Sequence, residues 1–125
     1  MQIFSIASQR AQWLSAKLGV IAGNVANAST PGYKAREITS FSAVLENRQV
    51  QMARTHPAHL NMAGEAERAR FETREAEAER MSHSGNTVSL EKEMLEGAAT
   101  VRAFRLNTGV VRAYHRMFLL GLKDN

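Results

Sequence analysis

Histidines, arginines and a pair of asparagines carry most of the chemistry this 125-residue chain could offer. His56 and His59 stand three apart, as metal ligands often do. Pro57 lies between them, however, and spoils a helical pairing, and no third or fourth ligand stands at a characteristic spacing. They read as surface histidines. His115 has no nucleophile or oriented acid near it in sequence and reads as a satisfied or partly exposed side chain. With no nucleophile, base and oxyanion set, no catalytic or metal-binding residue is nominated, no cofactor is expected, and the chain does not read as an enzyme. Arg102, Arg105, Arg112, Arg116 and Lys123 form a basic stretch that could meet phosphate. No nucleic-acid motif accompanies them, so a solvated face or a contact with an acidic neighbour is the better reading. Asn24 and Asn27 share one helical face and can bond either backbone or a neighbouring chain.

Those asparagines open the stretch on which the chain turns, Asn24-Val25-Ala26-Asn27-Ala28-Ser29-Thr30-Pro31-Gly32-Tyr33. Thr30 precedes a proline and is pushed towards extended geometry. Pro31 and Gly32 then supply a fixed φ and a residue free to take φ > 0, the requirements of a type II turn at its central positions.

The elements that hold this junction follow from spacing. Ala7, Ala11, Leu14, Leu18, Ile21, Val25 and Ala28 step by four and three alternately, a coiled-coil seam of three heptads. Gly19 and Gly23 either admit close approach of another backbone or are merely tolerated, each at about 1 kcal/mol against alanine. Residues 34–40 have an extended or turn-like character, and Phe41, Val44, Leu45 and Arg48 step as a short helix would. Residues 65–80 mix Glu, Arg and Ala without an apolar face and fit either a solvated helix or a mobile loop. The carboxylates among those arginines argue against a nucleic-acid groove. Residues 46–86 read as the least rigid part of the chain.

After the breakers Ser84-Gly85-Asn86-Thr87, Ser89 is placed to cap a second helix opening at Leu90. Leu90, Met94, Gly97, Val101, Phe104, Thr108, Val111, His115, Phe118 and Leu122 make a second seam of almost five heptads. Glu91, Glu93 and Glu96 come early and the basic residues late, which complements the helix dipole. The expected fold is mainly α: long N- and C-terminal helices packed as an antiparallel coiled-coil hairpin, with an irregular or partly extended centre. The expected parts are a core helix and exit turn over 1–33, a central segment over 34–86 and a second core helix over 87–125. A two-helix hairpin buries one face of each helix, so the remaining apolar surface must meet copies or partners.

Bulk properties bound the rest. Alanine-rich apolar content of 44% with only 6% aromatic residues suits close-packed helices. The absence of cysteine excludes disulfides and thiolate metal sites. A net charge of +4 and a pI near 10.0 permit acidic partners without requiring them. There is no cationic n-region, Arg10 interrupts the first apolar run, and no stretch of about 20 apolar residues could span a membrane. If the chain works outside the cytoplasm, a route without a cleaved leader is expected.

The Asn24–Tyr33 stretch resembles the N-terminal signature of bacterial flagellar rod and hook axial proteins. Gly85-Asn86-Thr87-Val88-Ser89-Leu90-Glu91-Lys92-Glu93-Met94 is similar to the C-terminal counterpart in the proximal-rod branch of that family, and favours it over the FlgC-like branch. Thr55-His56-Pro57-Ala58-His59-Leu60 resembles a short central feature of the same branch. Gly23 stands where the family often has asparagine, Ser29 where aspartate or asparagine is common, and Ser89 where aspartate is usual.

The resemblance implies a subunit of the basal-body rod that spans the periplasm. Such subunits assemble helically through their terminal helices, transmit torque, line the export channel and leave the cell by type III export without a cleaved leader. It also implies contact with copies of itself, with FlgC-like and FlgF-like rod proteins, with the rod adaptor FliE, and with the MS ring and export gate. Asn24, Asn27, Thr30, Pro31, Gly32, Tyr33, Gly85, Asn86, Thr87, Val88, Glu91, Glu93 and Met94 become the expected assembly motif. Leu14, Leu18, Ile21, Val25, Leu90, Val101, Phe104, Val111, Phe118 and Leu122 become the expected helix seam. The competing reading from the residues is a helical adaptor or nucleic-acid-binding protein that uses the basic C-terminal helix.

Overall fold

The computed structural model describes residues 2–48, 71–78 and 81–123. His56, Pro57 and His59, with the feature around them, lie outside the described residues. Helix α1 runs over Gln2–Ala26, strand β1 over Arg36–Ile38, helix α2 over Phe41–Arg48, strand β2 over Thr73–Glu75 and helix α3 over Leu90–Lys123.

The two long helices pack against each other in antiparallel fashion. Asn24 of α1 meets Glu93 of α3, Lys17 meets Glu96, the Ala7 carbonyl meets Asn107, and the Phe4 and Tyr114 rings touch edge to face at 5.8 Å. With a rise of about 1.5 Å per residue, α1 is about 37 Å long and α3 about 51 Å. Tyr114 already faces the start of α1, so roughly the last two turns of α3 overhang it. Met117, Phe118, Leu119, Leu120 and Leu122 on that overhang are all exposed.

Of the centre, the described residues 34–38 and 73–75 lie beside this hairpin. β1 and β2 form a two-stranded antiparallel ribbon with Arg36 opposite Glu75, Glu37 opposite Arg74 and Ile38 opposite Thr73. The Arg74–Glu37 pair closes at 2.6 Å, and the Arg36 guanidinium donates to Thr73 Oγ1 at 2.7 Å. The Ser40 carbonyl and hydroxyl accept from the first amides of α2, the capping that the short helix needs. Phe41 packs on Trp13 with centroids 5.8 Å apart, and Trp13 Nε1 donates to the Thr39 carbonyl at 2.8 Å. The extended start and the short helix therefore stand as the sequence predicts. Within 65–80 the described part is neither helix nor free loop. Thr73–Glu75 gains a backbone partner in β1, a non-local contact that its composition does not reveal.

The core is thin. Among the described residues, the buried apolar side chains are Leu14 and Ala35, and four polar ones, Gln9, Asn24, Asn86 and Thr100, are buried beside them.

Candidate functional site

The two sequence motifs meet at one end of the hairpin and interlock. Tyr33 N–H donates to the Thr30 carbonyl at 3.2 Å and Gly32 has φ +72°, which makes Thr30–Tyr33 the expected type II turn. Opposite it, Gly85 N–H donates to the Ser82 carbonyl at 2.9 Å, with Gly85 at φ +79°. The two glycines also approach closely: a Cβ on Gly85 would sit 3.7 Å from Gly32 Cα. Gly32 N–H bonds the Ser84 carbonyl at 2.9 Å, and Thr87 N–H bonds the Tyr33 carbonyl at 3.1 Å.

Two buried asparagines lock the halves together. Asn86, 4% exposed, directs its amide at the carbonyls of Asn27, Ala28 and Thr30, at 2.9, 3.1 and 2.7 Å. Its own carbonyl accepts from Val88 N–H at 2.7 Å. One side chain from beyond residue 80 thus satisfies acceptors just past the end of α1, where helical bonding has stopped. Asn24, 1% exposed, donates to the Arg36 carbonyl at 2.8 Å and to Glu93 Oε1 at 3.0 Å, while its carbonyl accepts from Arg36 N–H at 2.9 Å and from Tyr33 Oη at 3.5 Å. Asn24 therefore ties α1, β1 and α3 at one point. Asn27 bonds locally, from Nδ2 to the Gly23 carbonyl at 2.8 Å, and accepts from Thr30 Oγ1. Thr87 Oγ1 accepts from Ala35 N–H at 2.9 Å.

Burial pushes the Glu93 carboxyl above its ordinary value, and nearby Glu96 adds to this; the Asn24 amide, Lys92 and Lys17 oppose it. A cleft of about 410 Å³ opens beside Glu93, floored by Val20, Ile21, Ala35 and Ile38. Three of the carboxylates that line it are engaged: Glu93 with Asn24, Glu96 with Lys17 at 2.6 Å, and Glu37 with Arg74.

Of the expected motif residues, Asn24, Asn27, Thr30, Pro31, Gly32, Tyr33, Gly85, Asn86, Thr87, Val88 and Glu93 converge in this clasp, with Thr30, Pro31 and Gly32 on its exposed turn, whereas Glu91 and Met94 lie exposed on α3 outside it. Asn24 and Asn86 direct their side-chain bonds inside the chain, to backbone and to Glu93 and Tyr33, the first of the two possibilities the sequence leaves open for Asn24. The expected seams fare unequally. Leu14 is buried and Leu18 and Ile21 are half-buried against α3, but Val25 is exposed. On α3 the stripe facing α1 is Glu93, Gly97, Thr100, Ala103, Asn107 and Val111. Leu90, Met94, Val101, Phe104, Phe118 and Leu122 remain exposed, as does His115. The reason is rotational. Glu93 must point inward to accept from Asn24, and Asn107 must point inward to reach the Ala7 carbonyl at 2.9 Å. That brings a small and polar stripe to α1 and turns the large apolar side chains aside. Gly19 and Gly23 have no neighbour within 4 Å of a built Cβ.

A second apolar series on α3, Leu95, Leu106, Val110, Met117 and Leu120, is also exposed and was not read from the sequence. Its signal was present in the same spacing rule applied one face further round.

Residues 4–34 match the family described as flagella basal body rod protein. Over 98% of its length the chain is 39% identical to the flagellar basal body rod protein FlgB of Agrobacterium fabrum, 94% of which is covered.

Proposed function

The chain belongs to the flagellar basal body rod protein family, and on that premise we propose that its terminal helices form the wall of the proximal rod, transmit torque and border the export channel. It is a structural subunit of the proximal rod in the basal body, not an enzyme, and it assembles with other rod and basal-body components. In our reading the neighbours are copies of itself, FlgC-like and FlgF-like subunits, the adaptor FliE, the MS ring and the export gate. No helix among the described residues is long and apolar enough to cross a membrane. Export without a cleaved leader belongs to the same proposal. So does a division of labour in which 1–33 and 87–125 make the core and 34–86 makes the excursion.

One observation supports this most. The clasp holds both ends of the chain as a single unit, while the large apolar side chains of α3 stay outside it. A surface of that kind is stable in water only when neighbours cover it. The exposed members of the C-terminal seam are accordingly intersubunit residues in this proposal. Deleting the gene should abolish rod and filament in electron micrographs of extracted basal bodies, and complementation should restore them; intact rods in the deletion strain would overturn the reading. The adaptor or nucleic-acid alternative gives way to family membership.

A further inference from the structure

Charge in this chain is sorted into two sets that stay apart. Between Glu96 and Asp124 the sequence has no carboxylate, yet Arg102, Arg105, Arg112 and Arg116 all fall there. At about 100° per residue they share the side of α3 turned away from α1, and all four are exposed. None of them has an ion pair among the described residues.

The opposite set lies on the ribbon. Glu72, Glu75 and Glu77 are exposed and likewise have no ion pair among the described residues. Arg74 is closed onto Glu37, and Arg36, which stands opposite Glu75, gives its guanidinium to Thr73 Oγ1. Ala76 N–H still bonds the Ala35 carbonyl at 2.8 Å, so the pairing continues one residue past β2. Glu75 and Glu77, two apart on this backbone, share one face of the ribbon about 6.7 Å from each other. Within one molecule they lie far from the arginines. Ala76 and Glu77 line the cleft with Glu91 and Glu93, at the start of α3. Arg112 is roughly 24 Å further along that helix than Glu96.

We propose that Glu75 and Glu77 of one copy pair with Arg112 and Arg116 of another, so that the ribbon of each subunit docks on the arginine row of a neighbour. This rests on the chain's assembling with copies of itself in the rod. The occupant is a second copy because the chain carries both halves of the match at the same spacing: Arg112 and Arg116 stand about one helical turn apart, roughly 6 Å along the axis. Arginine suits the role, since its guanidinium can hold a carboxylate through two parallel bonds. The contact joins unlike surfaces, so a docked copy keeps either its row or its ribbon free for the next. Exposed ion pairs add little affinity; what they fix is register and choice of partner.

Charge reversal tests the pairing. Glu75→Arg with Glu77→Arg, and separately Arg112→Glu with Arg116→Glu, bring like charges together and should each lower the amount of this chain in extracted basal bodies several-fold. All four changes in one chain restore opposite charges and should return the amount close to that of the unaltered chain, a rescue that a merely structural role would not give. Thiols read the geometry independently, since the chain has no cysteine. Glu77→Cys on one copy and Arg112→Cys on a differently tagged copy, expressed together, should give a mixed dimer when extracted basal bodies are treated with a short bis-maleimide. Either variant expressed alone should give none. Reversals that leave incorporation unchanged, a folded fourfold variant without recovery, or no mixed dimer in rods that contain both tagged copies would overturn the inference. Complete rods in cells that lack the chain would instead overturn the reading on which it rests.

Discussion

Asn24 and Asn86 show how single side chains decide the shape of this junction. Removing a buried partner leaves the remaining groups desolvated and unpaired, which costs about 1–3 kcal/mol. Asn86→Ala leaves the Ala28 carbonyl and the Val88 amide without the partner Asn86 supplied and takes one of two donors from the carbonyls of Asn27 and Thr30, so urea denaturation followed by the fluorescence of the single tryptophan, Trp13, should shift to lower urea by that order. An unchanged midpoint would remove Asn86 from its central place. Glu93 makes a different prediction. Its folded pKa is raised, so between the ordinary and the raised value the folded state holds more proton than the unfolded one, and stability falls as pH rises through that window. Glu93→Gln keeps an acceptor for Asn24 and removes the desolvated charge. It should flatten that pH dependence and leave stability at neutral pH equal or higher; a clear loss there would contradict the assignment. Gly32→Val forces a β-branched side chain to φ +72° and should impair rod assembly, scored as motility. The turn was legible in the sequence because Pro31-Gly32 states a local backbone demand. The reach of Asn86 to residues 27–30 was not, because no local rule links positions almost 60 apart.

At the scale of elements, spacing and capping located both long helices, the short helix after Ser40 and the extended start near Arg36. They did not locate β2, since Thr73-Arg74-Glu75 is short and polar and becomes a strand only when β1 lies beside it. They also left the rotation of α3 undecided. Two apolar series run along that helix, and the sequence reading took only the one beginning at Leu90. The choice is made instead by polar contacts, Asn24 to Glu93 and Asn107 to Ala7, which no hydrophobic pattern records. The consequence is a contrast between neighbours. Thr100 is buried against α1, so Thr100→Leu overpacks the contact and should destabilise the isolated subunit by about 1–3 kcal/mol. Val101→Leu, one residue on but exposed, should leave the same denaturation curve in place. Equal effects of the two substitutions would show that the helix is rotated otherwise.

For the molecule as a whole, a core of Leu14, Ala35 and a few satisfied polar side chains is small for two helices of this length. Such a hairpin keeps its shape at the clasp and loosens away from it. In hydrogen exchange on monomeric subunits, amides near 21–24 and 93–100 should be the best protected, and those of the α3 overhang after Tyr114 the least. Full protection over 7–28 and 90–122 would mean that the monomer needs no neighbours. Composition had already pointed to paired helices in want of partners, and the two motifs pointed to the rod. What the sequence left open was how the ends are joined, because the clasp is built from long-range hydrogen bonds. The subunit is thus a polar lock at one end and an uncovered apolar helix along its length, an arrangement whose purpose is assembly. Electron microscopy of extracted basal bodies carrying a labelled copy of this chain puts that to the test. The label should appear at the cell-proximal end of the rod in every intact particle; basal bodies with complete rods and no label would contradict it.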